Sequence, residues 1–520
     1  MTRRRRLGVW ILALAFAAAA GWWLAHVPYR PARLLDAVPE GAPWVTAHRG
    51  LAGRWTNLVA NPLLAGVLAA QGLDRADLDE ALNDPDVDAW VRRLLSDEVV
   101  LAQMPDPYDT SGECWMMASW LGARVHWLRW WINLDRSGDL RRFAEHRGRH
   151  VWRLAFREDD AEHLLFFAFD EGLVIACLSD SPADVMVALD AYDGLRPRFD
   201  PALAAEAMGP GTGPDRGWAR LPGPGRGRAV QYRIDACDAA RLEGELRLDA
   251  PFVTPVALPD AAPTPLDAAA RTLGAAPVAA ASADLDAWSA ALAPRPGSWP
   301  EAMLDAARRH LRGPTVLAVV GDDVSGRLFG MKVPAAVAAA PLRDAANWKA
   351  ALSAELDRLN ASRQWGLIPR PRPVGEVEMV ILEGTADNAY ARLGESAAFA
   401  LAERDGWLFA ASNPLTLERL LQGGAAAGGA APPAWARACA VPPGSAAAWM
   451  DLDRSARTVR LVLSVVSLQA MMSGRPSPAG PSLSAARGWL DLLSSMDAAA
   501  LTIDPDGGGL RIRFALGPPP

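Results

Sequence analysis

Apolar and polar positions follow the same order in two distant stretches. Phe167–Leu189 reads FAFDEGLVIACLSDSPADVMVAL and Phe399–Leu421 reads FALAERDGWLFAASNPLTLERLL. Each is an apolar run, an acidic residue beside glycine, and a second apolar run, the pattern of a β-hairpin. Each continues into Ser or Asn as a helix cap, then Pro182 or Pro414, then apolar residues at helical spacing. The beginnings match as well. APWVTAHRGLAGRW (42–55) and APVAAASADLDAW (276–288) both run from Ala-Pro through a strand-like stretch to Trp on an incipient helix. Pro43 and Pro182 are 139 positions apart, and Pro277 and Pro414 are 137 apart. Between them EVVLAQM (98–104) and TVLAVVG (315–321) read as corresponding strands.

This patterning predicts an α+β chain of two tandem similar modules, 33–249 and 267–520. Each is expected to be a mainly antiparallel sheet with helices on one face. The Pro-rich stretch 250–266 reads as the linker, and the Gly/Pro-rich stretches 209–228 and 423–433 as loops. The run Val459–Met472 spans 14 residues beside Arg457 and Arg460, short for a membrane and suited to a core helix.

The N-terminus has a different pattern. Residues 1–6 hold Arg3, Arg4, Arg5 and Arg6, and residues 7–27 continue without formal charge if His26 is neutral. The expectation is a cytoplasmic basic tail and one transmembrane anchor, with Trp22 and Trp23 at the membrane interface. A cleaved signal peptide ending near Ala17–Ala20 is the alternative. Either places the C-terminal bulk in the periplasm or outside, at a bacterial inner membrane.

Charge narrows the functions. Setting aside the four arginines and Arg30 takes the net charge of the remainder from −7 to −12. That argues against nucleic acid as a partner. Cys114, Cys177, Cys237 and Cys439 form no C-x-x-C and leave disulfide pairing open. Nucleophile, phosphate-loop and zinc-protease motifs are absent from the sequence. EHRGRH (145–150) offers two histidines four apart but has no third ligand. NDPDVDAW (83–90) begins like a calcium loop but places Leu95 where the bidentate Glu belongs. The acidic clusters REDDAEH (157–163) and GDDV (321–324) read as turns. No cofactor, metal or catalytic residue is expected.

The most unusual segment is CWMMASWLGARVHWLRWWINLDR (114–136). Trp127, Trp130, Trp131 and Leu134 fall on one helical face, with Arg124 and Arg129 off it. Two readings are open: the tryptophans fill a core between helix and sheet, or they form an interaction surface. Such a surface would stack on a sugar or peptide, dock a partner helix, or rest at a membrane interface.

The basic-apolar N-terminus, the opening VPEGAPWV, the Asn-Pro of LVANPLLAGVL and the late hairpin-cap-helix units together resemble uncharacterised bacterial membrane-anchored envelope proteins of unknown function. The resemblance implies no activity and supplies no catalytic residue. The expected function is a non-enzymatic, membrane-anchored interaction or scaffold protein with an envelope protein as partner. The alternatives are a solute- or glycan-binding ectodomain with a cleft between the repeats, and a hydrolase with an unrecognised site.

Overall fold

The computed structural model describes residues 3–28, 30–70, 95, 98–104, 114–134, 140–158, 161–200, 215–221, 228–248, 266–285, 299–321, 327–328, 331–332, 334–363, 366–384, 398–424, 432–442, 445–460, 494–506 and 509–518. The chain divides into two units, Met1–Ala60 with Leu68–Asp235, and Asn61–Val67 with Ala236–Pro520. The expected linker 250–266 lies outside the described residues except for Leu266, and so does most of the loop 209–228.

The first unit begins with α1 (Arg3–Ala25) and a 3-10 turn (Pro31–Ala37). There follow β1 (Trp44–Arg49), α2 (Leu51–Ala60), α3 (Pro62–Ala70), whose residues up to Val67 belong to the second unit, β2 (Glu98–Gln103), β3 (Trp115–Trp120) and α4 (Arg124–Leu134). Next come β4 (Leu140–His146), β5 (Arg149–Glu158), β6 (Ala161–Asp170), β7 (Leu173–Leu178), α5 (Ala183–Tyr192), β8 (Asp215–Leu221) and β9 (Arg228–Cys237). The strands pair antiparallel in the order β9-β8-β1-β2-β3-β7-β6-β5-β4.

The second unit contains β10 (Leu242–Leu248), α6 (Asp267–Leu273), β11 (Pro277–Asp284), α7 (Trp299–His310) and β12 (Pro314–Val320). A small ribbon, β13 (Arg327–Leu328) and β14 (Met331–Lys332), precedes β15 (Ala335–Pro341) and α8 (Trp348–Arg363). Then come β16 (Leu367–Val374), β17 (Val377–Gly384), β18 (Phe399–Arg404), β19 (Trp407–Ala411), α9 (Pro414–Gly424) and α10 (Ala434–Cys439). The last strands are β20 (Ala446–Asp451), β21 (Ala498–Asp506) and β22 (Gly509–Gly517). Antiparallel pairing runs β10-β22-β21-β20-β11-β12-β15-β19-β18-β17-β16. The path β1-β2-β3-β7-β6-β5-β4 in the first unit thus has the same order as β11-β12-β15-β19-β18-β17-β16 in the second.

Local chemistry explains the hairpins. Glu171 and Gly172 join β6 to β7, and Asp405 and Gly406 join β18 to β19, all at positive φ. A two-residue turn of that hand matches strand twist, and glycine adopts it without steric cost. Ser181 Oγ then accepts from the Ala183 amide (3.2 Å), and Asn413 Oδ1 from the Thr416 amide (2.8 Å), opening α5 and α9.

The expectation of helices on one face is corrected. Large antiparallel sheet dominates, and helices cover both of its faces. In the first unit Phe166, Ala168, Ile175 and Cys177 pack with Val185 and Leu189 of α5. Their neighbours Phe167, Phe169, Val174 and Ala176 pack instead with Val125 and Ile132 of α4. In the second unit Met379 and Ile381 join the cluster that includes Leu417 and Leu420 of α9, while Val380 packs with Trp348 of α8. These strands are apolar at consecutive positions, so both faces have surface to bury.

The anchor is also corrected. No helix among the described residues is long and apolar enough to cross a membrane. Helix α1 starts at Arg3, so its first turn carries Arg3, Arg4, Arg5 and Arg6, and much of its remaining length is Ala and Gly, which contribute little apolar surface. The expected span at 7–27 is therefore not supported. With it go the single-pass signal anchor, the inner-membrane and periplasmic placement, and the membrane and envelope partners inferred from them.

A surface ion cluster ties α7 to α8. Glu355 accepts from Arg309 Nε (2.7 Å) and Nη2 (3.0 Å) and from Arg358 Nε (2.8 Å), with His310 Nε2 at 3.2 Å. The Arg309 bonds lower its carboxyl from 4.5 to about 2. A depressed carboxyl pKa gives stability that is present above the unfolded value and lost as pH falls through the folded one. Glu355→Gln should cost less than about 1 kcal/mol at neutral pH, since the arginines remain solvated. The gap between variant and wild type in chemical denaturation should close between pH 4.5 and about 2.

Candidate functional site

Helix α4 carries the aromatic segment singled out in the sequence. Its inner side is apolar: Val125 and Ile132 are buried and Leu128 is half-buried against Phe167, Phe169 and Val174. Its start is held by the β6–β7 turn, whose Gly172 carbonyl accepts from the amides of Leu121 (2.7 Å) and Gly122 (2.9 Å). A Cβ on Gly172 would lie 2.5 Å from Val27 Cγ1 and 3.2 Å from Gly122 Cα, so the close approach needs glycine.

The outer side is equally apolar. Trp127 is 73% exposed, Trp130 60%, Trp131 44% and Leu134 56%. The core-filling reading is therefore corrected: the inward positions 125, 128 and 132 are Val, Leu and Ile, and the indoles lie on the opposite stripe. Trp127 and Trp130 meet edge to face at 6.4 Å. Arg129 turns back to the sheet, donating from Nη2 to the Phe169 carbonyl (2.6 Å) with its guanidinium 5.9 Å from the Phe169 ring. Burial lowers the Arg129 pKa, with Asp170 opposing. Arg124 is exposed in the first turn.

The N-terminal residues do not join this face. Trp22 is exposed and stacks on His26 at 6.0 Å. The side chains of Trp23, Arg3, Arg4, Arg5 and Arg6 lie outside the described residues.

The other sequence candidates resolve into structural roles where they are described. EHRGRH is the β4–β5 hairpin, with Arg147 and Gly148 at positive φ, and not a helix. His146 Nε2 lies 2.9 Å from Asp190 Oδ1, and His150 Nδ1 lies 3.8 Å from Glu145 Oε2. REDDAEH joins β5 to β6; NDPDVDAW and residues 322–324 lie outside the described residues. Among the described residues no group of His, Cys, Asp and Glu is placed to hold a metal ion.

One constellation escaped the sequence. His48 on β1 faces Asp215 on β8 across the ladder. His48 Nδ1 lies 2.7 Å from Asp215 Oδ1, and Nε2 lies 3.2 Å from Thr46 Oγ1. Arg54 of α2 reaches Asp215 with both terminal nitrogens, at 2.7 and 2.8 Å. Burial alone would raise the Asp215 carboxyl; the bonds from Arg54 and His48 outweigh it and hold it below the usual range. The order carboxylate, imidazole, hydroxyl is that of a nucleophilic triad. Thr46, however, is 0% exposed and its hydroxyl donates to the Arg216 carbonyl at 2.8 Å. A nucleophile closed off from solvent meets no substrate, so the cluster serves as a lock between β1, β8 and α2. Arg54 completes it by donating to the Arg49 carbonyl at 2.7 Å.

The same lock uses a missing side chain. Tyr232 of β9 is paired with Gly217 of β8, and a Cβ there would sit 2.1 Å from its ring. Burial pushes the Tyr232 hydroxyl up to about 12 while its bond with Thr46 opposes. Gly217→Ala should cost about 1–3 kcal/mol, because the ring must leave its slot; a lowered thermal midpoint checks it.

No family model and no curated protein matches the chain. Among solved structures, crystal form I of TP0453 is similar over 43% of this chain and 80% of its own, at 12% identity and a TM-score of 0.26. Crystal form IV is similar over 44% and 83%, at 13% identity and a TM-score of 0.25. Similarity this slight carries no argument, and the functional reading rests on the residues themselves.

Proposed function

We propose that this protein is a non-enzymatic interaction module and that α4 is its docking element. The observation that carries the reading is the exposure of Trp127, Trp130, Trp131 and Leu134 on one helical stripe. Positions i, i+3, i+4 and i+7 are the anchors by which an amphipathic helix seats in a groove. Tryptophan is enriched among residues that dominate interface energies.

The second unit provides an internal comparison. Helix α8 follows β15 as α4 follows β3, and it too packs on its sheet, through buried Trp348 against Val380. Its exposed positions are Lys349, Ser353, Asp357 and Arg358 with small alanines. An aromatic outer stripe is thus no requirement of a helix at this place in the fold.

The partner's chemistry can be read from the helix. Exposed Arg124 and His126 lie in α4 and no acidic residue does. Indole N–H groups donate and do not accept. The matching surface is a protein groove with an apolar floor and a rim of carboxylates. A photo-crosslinking residue at exposed Asn133 in the native cell, followed by titration of the captured protein with the purified chain, tests this. A heterologous protein bound directly, more weakly as salt rises, is the expected result. Crosslinks only between copies of this chain, or binding indifferent to the tryptophans, would overturn it.

A further inference from the structure

We propose that Cys114 and Cys177 form a reversible disulfide across β3 and β7, with a low-molecular-weight disulfide as the oxidising co-substrate. The inference stands on geometry independent of the docking face. Met116 of β3 is paired with Cys177 of β7, and Trp115 with Leu178. Side chains two apart on a strand share a face, so Cys114 and Cys177 are diagonal neighbours on one side of the sheet. Both pack in the same cluster, Cys177 fully buried and Cys114 partly exposed beside it.

A disulfide needs its two Cα atoms within about 7 Å, closer than a diagonal pair in an ideal ladder. Cys114 lies one residue before the β7 ladder begins, and its carbonyl accepts from the Met104 amide (2.8 Å) on the opposite side. The backbone that must shift is therefore not held by β7. Cys439 shows the contrast: its thiol, also buried, donates to the Ala280 carbonyl at 3.6 Å.

The chemistry runs in two exchanges. The Cys114 thiolate attacks one sulfur of oxidised glutathione, forming a mixed disulfide and releasing one glutathione thiolate. Cys177 then loses its proton and attacks Cys114 Sγ, forming the protein disulfide and releasing the second glutathione. The protein dithiol is oxidised by two electrons and the glutathione disulfide is reduced to two thiols. Burial, with Cys114 and Asp184 adding to it, pushes the Cys177 thiol well up, so the second exchange is the slow one.

The test treats the folded full-length chain with oxidised glutathione and follows free thiols and non-reduced tryptic peptides by mass spectrometry. All four cysteines start as free thiols. The expected course is a transient glutathione adduct on Cys114, then one cross-linked pair joining Cys114 to Cys177, reversed by dithiothreitol. Cys114→Ser, at a partly exposed position, should abolish the pair and leave Cys177 a thiol. A stable Cys114 adduct with Cys177 still reduced after prolonged exposure would overturn the proposal. So would a link that forms only after denaturation, or one to Cys237 or Cys439. The wild-type measurement decides without relying on any variant's folding.

Discussion

Asp215→Ala should destabilise the first unit by about 3–5 kcal/mol, the usual cost of removing one partner of a buried ion pair. The carboxylate is 1% exposed and accepts from both His48 and Arg54. Removing it takes from Arg54 and His48 the carboxylate that both now bond. Chemical denaturation at neutral pH, following a signal from the first unit, measures the loss. Because the folded Asp215 pKa is depressed, its contribution is complete above the unfolded value and disappears as pH falls through the folded one. The variant's deficit should therefore shrink in acid. An Asp215→Ala protein as stable as wild type at neutral pH would remove the lock from the description of this fold.

Trp127→Ala with Trp130→Ala should weaken partner binding by about 1,000-fold, since each interface tryptophan contributes about 2 kcal/mol or more. The same double variant should leave stability within about 0.5 kcal/mol, as is usual for exposed positions away from the core. The two measurements separate a docking face from a packing face. Both side chains are more than half exposed, whereas Val125 and Ile132 hold the helix to its sheet. Ile132→Ala is the contrasting variant: it should lose stability first and binding only in consequence. A double variant that unfolds early would show that the indoles support α4 after all.

The elements of this fold are more legible in the sequence than their arrangement. The Glu171–Gly172 and Asp405–Gly406 turns, with Ser181 just ahead of α5 and Asn413 at the start of α9, are local events, and local residues specify them. The two-sided covering of the sheet is harder to read. It is nonetheless written in the consecutive apolar residues Leu164–Phe169 and Met379–Leu382, which leave no solvent face. The aromatic helix is plain in the sequence, but its orientation is not, because Val125, Leu128 and Ile132 form a second apolar stripe on the same helix. A helix apolar on two sides does not tell, by spacing alone, which side is inward. The Asp215 lock is invisible for another reason. His48 and Asp215 are 167 residues apart and meet only because β1 lies between β2 and β8.

The clamp on α4 has a bearing on how the chain is made. Gly172 emerges from the ribosome 50 residues after Gly122, whose amide its carbonyl receives. Phe167 and Phe169, which cover the inner stripe, emerge just before Gly172, and Val174 just after it. Until then a nascent α4 has an apolar stripe on both sides, neither yet seated. Translation at about 5–20 residues per second leaves that state open for seconds. Of the two apolar stripes that α4 carries as it emerges, one is thus still exposed in the finished fold.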